Sequence, residues 1–290
     1  MKKADLNAAG PDSQRELEFG SFLKRGLVLL GCGKMGSALL NGWLNGGLDK
    51  SLVHVVEPFP SAWLIEKDVK IGPLTREANP AFCVVAVKPQ MMADALVALE
   101  PLRGKGTVIL SIAAGTRIAY FQKALGAGMP IVRAMPNTPA AVGRGISALV
   151  ANRNVTGTQL DQAEVLMRAV GETVRMRDES QIDVVTAVSG SGPAYVFHLI
   201  EALSQAAVSE GLPRDVSLKL AMATVAGAGW LAKVDPKPVE QLRRDVTSPG
   251  GTTEAALKHL MAPETGLTAL IERTVHAAVV RGRELGKLND

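Results

Sequence analysis

Aromatic residues are scarce, at 4% of 290 residues. A core built here must draw on Ala, Val, Leu, Ile and Met. There are two cysteines, Cys32 and Cys83, which excludes a disulfide framework and fits reduced thiols in a cytoplasmic protein. The four histidines, His54, His198, His259 and His276, are scattered. None has metal-ligand spacing, and each reads as a structural residue. Net charge is only +4, from 32 basic and 28 acidic residues. No Lys/Arg run exceeds two, so a basic nucleic-acid stripe is excluded. The mild excess suits anionic small molecules at most. No apolar run reaches the roughly 20 residues of a bilayer span; the longest weakly polar run covers only 220–232. Residues 1–25 carry Lys2-Lys3 but no secretory apolar stretch. A Gly-x-Ser-x-Gly elbow and a phosphate-loop Gly-Lys-Ser/Thr are both missing.

What remains is a chain with 47% hydrophobic and 21% charged residues, the balance of a globular protein. Its 29 glycines permit close packing. The length suits two domains. Residues 1–25 read as a flexible tail, with one short helix over 13–23. From Gly26 to about 178, short β-branched runs at 27–30, 52–56, 81–87, 107–112, 131–135, 146–151 and 172–176 alternate with helical patterns at 34–45, 92–100, 118–125 and 158–170. This alternation predicts an α/β fold of parallel βαβ units. After 178 the strand signals stop. Helices are expected at 194–210, 216–234, 239–246, 253–261 and 265–287. The expected organisation is a dinucleotide-binding domain over 26–178 and a helical domain over 179–290.

Gly31-Cys32-Gly33-Lys34-Met35-Gly36 follows the first strand and opens a helix. In that context G-x-G-x-x-G is a dinucleotide-binding turn. Gly31 permits the tight turn. Gly33 lets backbone approach a pyrophosphate, and Gly36 allows close helix–strand packing. The helix N-terminus meets the phosphates. Glu57 ends the second strand, where an acid accepts from the adenine ribose hydroxyls and repels a 2′-phosphate. No Arg lies in the next eight residues, and Lys67 is the first base beyond. By itself Glu57 favours NADH; NADP(H) and NAD(H) both remain open. Later strand ends line the same crevice: Ala86-Val87-Lys88-Pro89, Ser111-Ile112-Ala113-Ala114-Gly115 and Met135-Pro136-Asn137-Thr138-Pro139. Leu30 to Met35, Ala86 to Pro89, Ser111, Ala113 and Ala114 are therefore the candidate cofactor residues.

Ser248-Pro249-Gly250-Gly251-Thr252-Thr253-Glu254 stands before a helix. Its first-turn N–H groups and the hydroxyls of Ser248, Thr252 and Thr253 suit a carboxylate. The bland alternative is a turn with Thr252 capping the helix. Ser189-Gly190-Ser191-Gly192-Pro193 reads as a tight helix start with serine caps. No strong acid, base or nucleophile stands out. Hydride transfer to an already activated acceptor needs none, because cofactor and positioning carry that chemistry.

The ordered set GCGKMG, AVKP, SIAAG, RAMPNTP, AVSGSGPAY and DVTSPGGTTEAAL closely resembles the pyrroline-5-carboxylate reductase family, from Gly26 to the C-terminus. The stretch 246–260 is the most specific part. The resemblance implies reduction of 1-pyrroline-5-carboxylate to L-proline by NAD(P)H, the last step of proline biosynthesis. It implies a Rossmann-type domain followed by an all-helical domain that interlocks with a second subunit, giving homodimers that can assemble into decamers. It also implies that Ser248, Gly250, Gly251, Thr252 and Thr253 hold the substrate carboxylate, with the nicotinamide near Ala113 and Ala114. Thr253 or water would protonate the ring nitrogen, in a site completed between subunits. Members preferring NADPH often carry Ser, Thr or Arg after the second strand, where this chain has Glu57-Pro58-Phe59-Pro60. Residues 1–25 lie outside the family pattern.

Three other readings compete with this one. A β-hydroxyacid dehydrogenase would place a Lys on the first helix of the second domain, and 194–210 contain none. An F420-dependent reductase shares the glycine turn but has no use for the Ser-Pro-Gly-Gly-Thr-Thr pocket. A non-catalytic NAD(P)-binding regulator would bind cofactor without turnover, and the intact carboxylate pocket argues against it.

Overall fold

The computed structural model describes Phe19 and residues 22–287. Among them, the first half of the chain builds one eight-stranded sheet in the order β3-β2-β1-β4-β5-β6-β7-β8. The strands are β1 Leu27–Leu30, β2 Val53–Val56, β3 Lys70–Ile71, β4 Phe82–Val85, β5 Val108–Ser111, β6 Ile131–Met135, β7 Gly145–Ala151 and β8 Gly171–Arg175. Helices α1 Lys34–Asn45, α2 Ala62–Glu66, α3 Met92–Ala98, α4 Ile118–Leu125, α5 Gly157–Arg168 and α6 Gln181–Val185 accompany it.

Strands β1 and β4 are apolar at every position, and alternate residues of the sheet serve opposite faces. Leu27, Leu29, Val53, Val55, Phe82 and Val84 join one buried cluster with Leu39, Leu40 and Trp43 of α1 and Leu166 of α5. Val28, Leu30, Cys83, Val85 and Ile109 join the other, with Met92 of α3 and Phe121 and Leu125 of α4. The sheet is thus covered on both sides. Helix α1 is pinned against α5 through Trp43 Nε1, which donates to the Leu166 carbonyl at 2.8 Å. A Cβ on Gly42 would lie 2.6 Å from the Ala169 carbonyl oxygen, so only glycine allows this approach.

The expectation of uniformly parallel units fails at one strand. β7 runs antiparallel to β6, while the other pairs are parallel. No crossover helix separates them. A 3₁₀ turn over Thr138–Val142, ended by Gly143 at φ 69°, reverses the chain directly. The two-residue β3 and the single-turn α2 and α6 are too short for a periodic pattern, and the sequence reading lacks them.

The boundaries also differ from expectation. The helix expected over 13–23 lies largely outside the described residues. Part of the expected tail, however, belongs to the core. Phe19 and Leu23 are buried among the β1 and α1 side chains, and the Phe22 ring meets Phe82 edge-on at 5.9 Å. At the other end, the compact units of the structure are Met1–Gly190 with Gly282–Asp290, and Ser191–Arg281, so 179–190, expected to open the helical domain, lie in the first unit. The physical reason is that 179–190 still pack on the sheet unit. Ile182 sits in its core, and Glu179 accepts from Arg133 of β6 at 2.9 Å.

The second unit contains α7 Gly192–Ser209, α8 Arg214–Val234, α9 Val239–Asp245, α10 Thr252–Leu260 and most of α11 Leu267–Lys287. Helices α7 and α8 pack along one another. Within one chain this unit buries little: Ser204, Ser217, Ala221, Gly266 and Val279 are its buried residues. Val196, Phe197, Leu203, Val216, Leu220 and Met222 are all exposed.

Candidate active site

The glycine turn rests on three strand ends. Gly31 N–H donates to the Val56 carbonyl at 2.9 Å, and Ala86 N–H donates to the Leu30 carbonyl at 2.8 Å. Gly31 adopts φ +88°, and a Cβ there would strike Val87 Cγ1 at 2.9 Å. A Cβ on Gly36 would lie 2.4 Å from the Gly31 carbonyl oxygen. These two positions are closed to any side chain. Gly33 is the opposite case: a Cβ would meet nothing within 4 Å. Gly33 is exposed and starts α1 with no side-chain cap. The bare N–H groups and the missing Cβ leave a cradle into which a pyrophosphate fits.

Glu57 is half-buried beside this turn. Its Oε2 accepts from Cys32 N–H at 2.9 Å, and its Oε1 accepts from Phe59 N–H at 3.2 Å. The acid thus braces the glycine turn, a role that sequence spacing did not reveal. Burial pushes the Cys32 thiol up to about 11, and the Glu57 carboxylate adds to that effect. Cys83 is fully buried, which raises its pKa further. Both cysteines are free.

The other expected cofactor residues gather at the same edge but differ in access. Leu30 is buried, so only its backbone is offered; Met35, Ala86, Val87 and Pro89 are half-buried, and Lys34 and Lys88 are exposed. Ser111 is buried, and its Oγ accepts from Ala113 N–H at 3.3 Å. The hydroxyl shapes the loop rather than facing a ligand. Ala113 is buried too, which leaves Ala114 as the exposed small residue there.

In the second unit, Ser248 to Thr253 form a tight turn into α10. Gly250 has φ +72°, and Gly251 N–H donates to the Ser248 carbonyl at 3.0 Å. The helix begins at Thr252 with Gly251 as N-cap and no side-chain cap. Thr252 is therefore not the cap. Its hydroxyl and that of Thr253 stand in the first turn, with the exposed Ser248 close in sequence. Glu254 reaches back and accepts from Gly250 N–H at 3.0 Å. The bond goes to the residue before the N-cap, four positions back, so it ties this turn to the first turn of α10 without forming a capping box.

The serine caps expected at 189–192 are not made. Ser189 Oγ donates to the Val185 carbonyl at 3.0 Å inside a π-helical turn, and Ser191 makes no cap bond. A residue pair absent from the sequence reading lies nearby. Arg133 is buried in the middle of β6 and donates to Glu179, whose Oε1 also accepts the Ile118 N–H opening α4 at 2.9 Å. His54 meets the Gly72 carbonyl at 2.9 Å, and burial lowers its pKa.

A doubly covered sheet with this glycine turn, joined to a helical unit bearing an uncapped glycine–hydroxyl helix start, defines an NAD(P)H-dependent oxidoreductase. Comparison with known proteins narrows the class. Residues 26–115 match the model described as NADP oxidoreductase, coenzyme F420-dependent. Residues 179–285 match the model for pyrroline-5-carboxylate reductase dimerisation. The chain is 39% identical over 266 residues to the pyrroline-5-carboxylate reductase of Pseudomonas aeruginosa, covering 90% of this chain and 97% of that one. It is 39% identical over 285 residues to the Mycobacterium leprae enzyme, covering 89% and 96%. The Coxiella burnetii reductase structure superposes with TM-score 0.84 at 36% identity, covering 90% of this chain and 98% of that one. A Plasmodium falciparum reductase structure, with NADP bound, gives 0.77 at 30% identity, with the same coverage. The chain belongs to the pyrroline-5-carboxylate reductase family. Its helical unit is a dimerisation domain, and the protein is an oligomer.

Proposed function

We propose that this chain reduces the C=N bond of 1-pyrroline-5-carboxylate to give L-proline, with Ser248 to Thr253 holding the substrate carboxylate and the glycine turn holding the cofactor. The observation that carries the site assignment is the uncapped start of α10, where a glycine N-cap leaves first-turn N–H groups beside two threonine hydroxyls. An anion binds there through both the N–H donors and the helix dipole.

When bound, the reduced nicotinamide supplies one hydride, delivered to C5 of the imine. The chain's own work is positioning. Backbone N–H groups at Gly33, Lys34 and Met35 take the pyrophosphate, while Lys34 and Lys88 add positive charge beside it. Ala86 to Pro89 wall the crevice. Ala114 leaves room for the nicotinamide ring. In the other unit, Thr252, Thr253 and Ser248 fix the carboxylate so that the ring presents one face. The ring nitrogen takes its proton from water or the Thr253 hydroxyl. A protonated iminium is the better acceptor, so rate falls as pH rises. Dimerisation completes the site, dimers can assemble further into a decamer, and the free thiols fit a cytoplasmic enzyme.

The direct test is oxidation of NADPH and of NADH with and without pyrroline-5-carboxylate. Imine-dependent oxidation with proline as product supports the proposal. Tight cofactor binding by a folded oligomer without turnover would defeat it and favour a regulator.

A further inference from the structure

We propose that Glu57-Pro58-Phe59-Pro60 forms the adenosine site of this reductase and selects a nucleotide with a free 2′-hydroxyl, NADH over NADPH. The proposal rests on the reading that the glycine turn holds the cofactor's pyrophosphate. The end of β2 adjoins that turn, because the Val56 carbonyl accepts from Gly31 N–H at 2.9 Å. A carboxylate at this point meets the adenine ribose.

Glu57 is fixed there before any nucleotide arrives. Cys32 N–H holds Oε2 at 2.9 Å and Phe59 N–H holds Oε1 at 3.2 Å. Each carboxylate oxygen keeps a further acceptor site, so the group is a preset acceptor for two vicinal hydroxyls. A 2′-phosphate offers it no donor at neutral pH and brings like charge against it. No cation offsets that repulsion along this segment, since 58–66 contain no Lys or Arg. Lys67 lies over the Trp63 ring, 4.9 Å from its centroid. The one hydroxyl in the loop, Ser61 Oγ, accepts from Leu64 N–H at 3.3 Å as the α2 cap.

Phe59 supplies the second half of the site. It is 87% exposed, two residues beyond the acid. Proline on both sides restricts the backbone, so the ring is presented with little freedom to lose. An adenine face laid on it removes apolar surface from water and adds stacking.

The test uses the full-length protein and isothermal calorimetry with ADP-ribose and 2′-phospho-ADP-ribose, which carry the adenosine end but no nicotinamide, and then with NADH and NADPH. Wild type is expected to bind each unphosphorylated ligand at least about tenfold more tightly, the scale of one charge-assisted contact. Glu57→Ser should bring the paired affinities within about threefold. Phe59→Ala, at a fully solvated position, should weaken both members of each pair about five- to twentyfold, leaving their ratio unchanged. Equal or tighter binding of the 2′-phospho ligands by wild type overturns the selection. Unchanged affinities in Phe59→Ala overturn the stacking. Unphosphorylated-ligand preference without imine turnover upholds the adenosine site and defeats the reductase reading. Imine turnover with a 2′-phospho preference does the reverse.

Discussion

Gly36 shows how narrowly a single residue can be constrained. With the Gly31 carbonyl oxygen 2.4 Å from where a Cβ would sit, Gly36→Ala must distort the turn. Overpacking of this kind costs about 1–3 kcal/mol. We expect a lower melting temperature and the loss of most cofactor affinity, measured by thermal unfolding and calorimetry on the same preparation. Thr253 makes the opposite kind of prediction, because it is a half-buried hydroxyl in the first turn of a helix. Thr253→Val should lower kcat/KM about ten- to hundredfold, the worth of a hydrogen bond to a charged group. Thr253→Ser should largely restore it. Full kcat/KM in the valine variant would remove the hydroxyl from the chemistry. At Cys32 the thiol is held up to about 11, whereas an unfolded cysteine ionises near 8.5. Between those values the unfolded chain has released a proton that the folded chain keeps. This group's stabilising contribution is therefore present below about pH 8.5 and fades as pH rises toward 11. Labelling of the native thiol by iodoacetamide at pH 8 should run at least tenfold slower than labelling of the unfolded chain.

Between elements, Glu179 is the tie that no periodicity announces. It joins β6, through buried Arg133, to the first N–H of α4. Glu179→Ala leaves the guanidinium buried without this partner and removes the α4 contact. Breaking such a pair costs about 3–5 kcal/mol when both partners are enclosed. The Glu179 side chain is 27% exposed, so about 3 kcal/mol is the expectation, read from urea unfolding. Arg133 and Glu179 are 46 residues apart, and each looks like ordinary surface charge in its own segment. The same blindness explains β7. Its β-branched pattern is plain, but whether it runs with or against β6 depends on the Thr138–Val142 turn closing the chain without a helix. The apolar strands and long helices were legible because each carries its own period. The single-turn elements carry none.

For the whole molecule, the helical unit is hydrophobic yet barely buries itself. Leu220 on α8 is 52% exposed and Phe197 on α7 is 61% exposed in the single chain. Apolar area on this scale marks an interface, in keeping with the dimerisation family to which these residues belong. Leu220→Glu should convert the oligomer to monomer by light scattering and abolish imine-dependent turnover. Cofactor affinity should persist, because the glycine turn is built wholly within the sheet unit. Retained turnover by a monomer would refute the requirement for a second subunit.

Local and chemical features are legible in the chain alone. The glycine spacing after a buried strand, the Ser-Pro-Gly-Gly-Thr-Thr helix start and the alternation of periods are all written in neighbouring residues. These were enough for the two-part fold and the family. Tertiary structure decided what depends on residues far apart in the chain. Phe19 and Leu23 joined the core because they meet β1 and α1 side chains, so the expected tail shortened. The compact units divided at Gly190 because Glu179 and Ile182 belong to the sheet's packing. Glu57 proved to hold the glycine turn as well as to end β2, since its 25-residue separation from Cys32 closes only when the strands pair. Side-chain periodicity reports burial along one element; it carries no information about which distant donor fills a given acceptor.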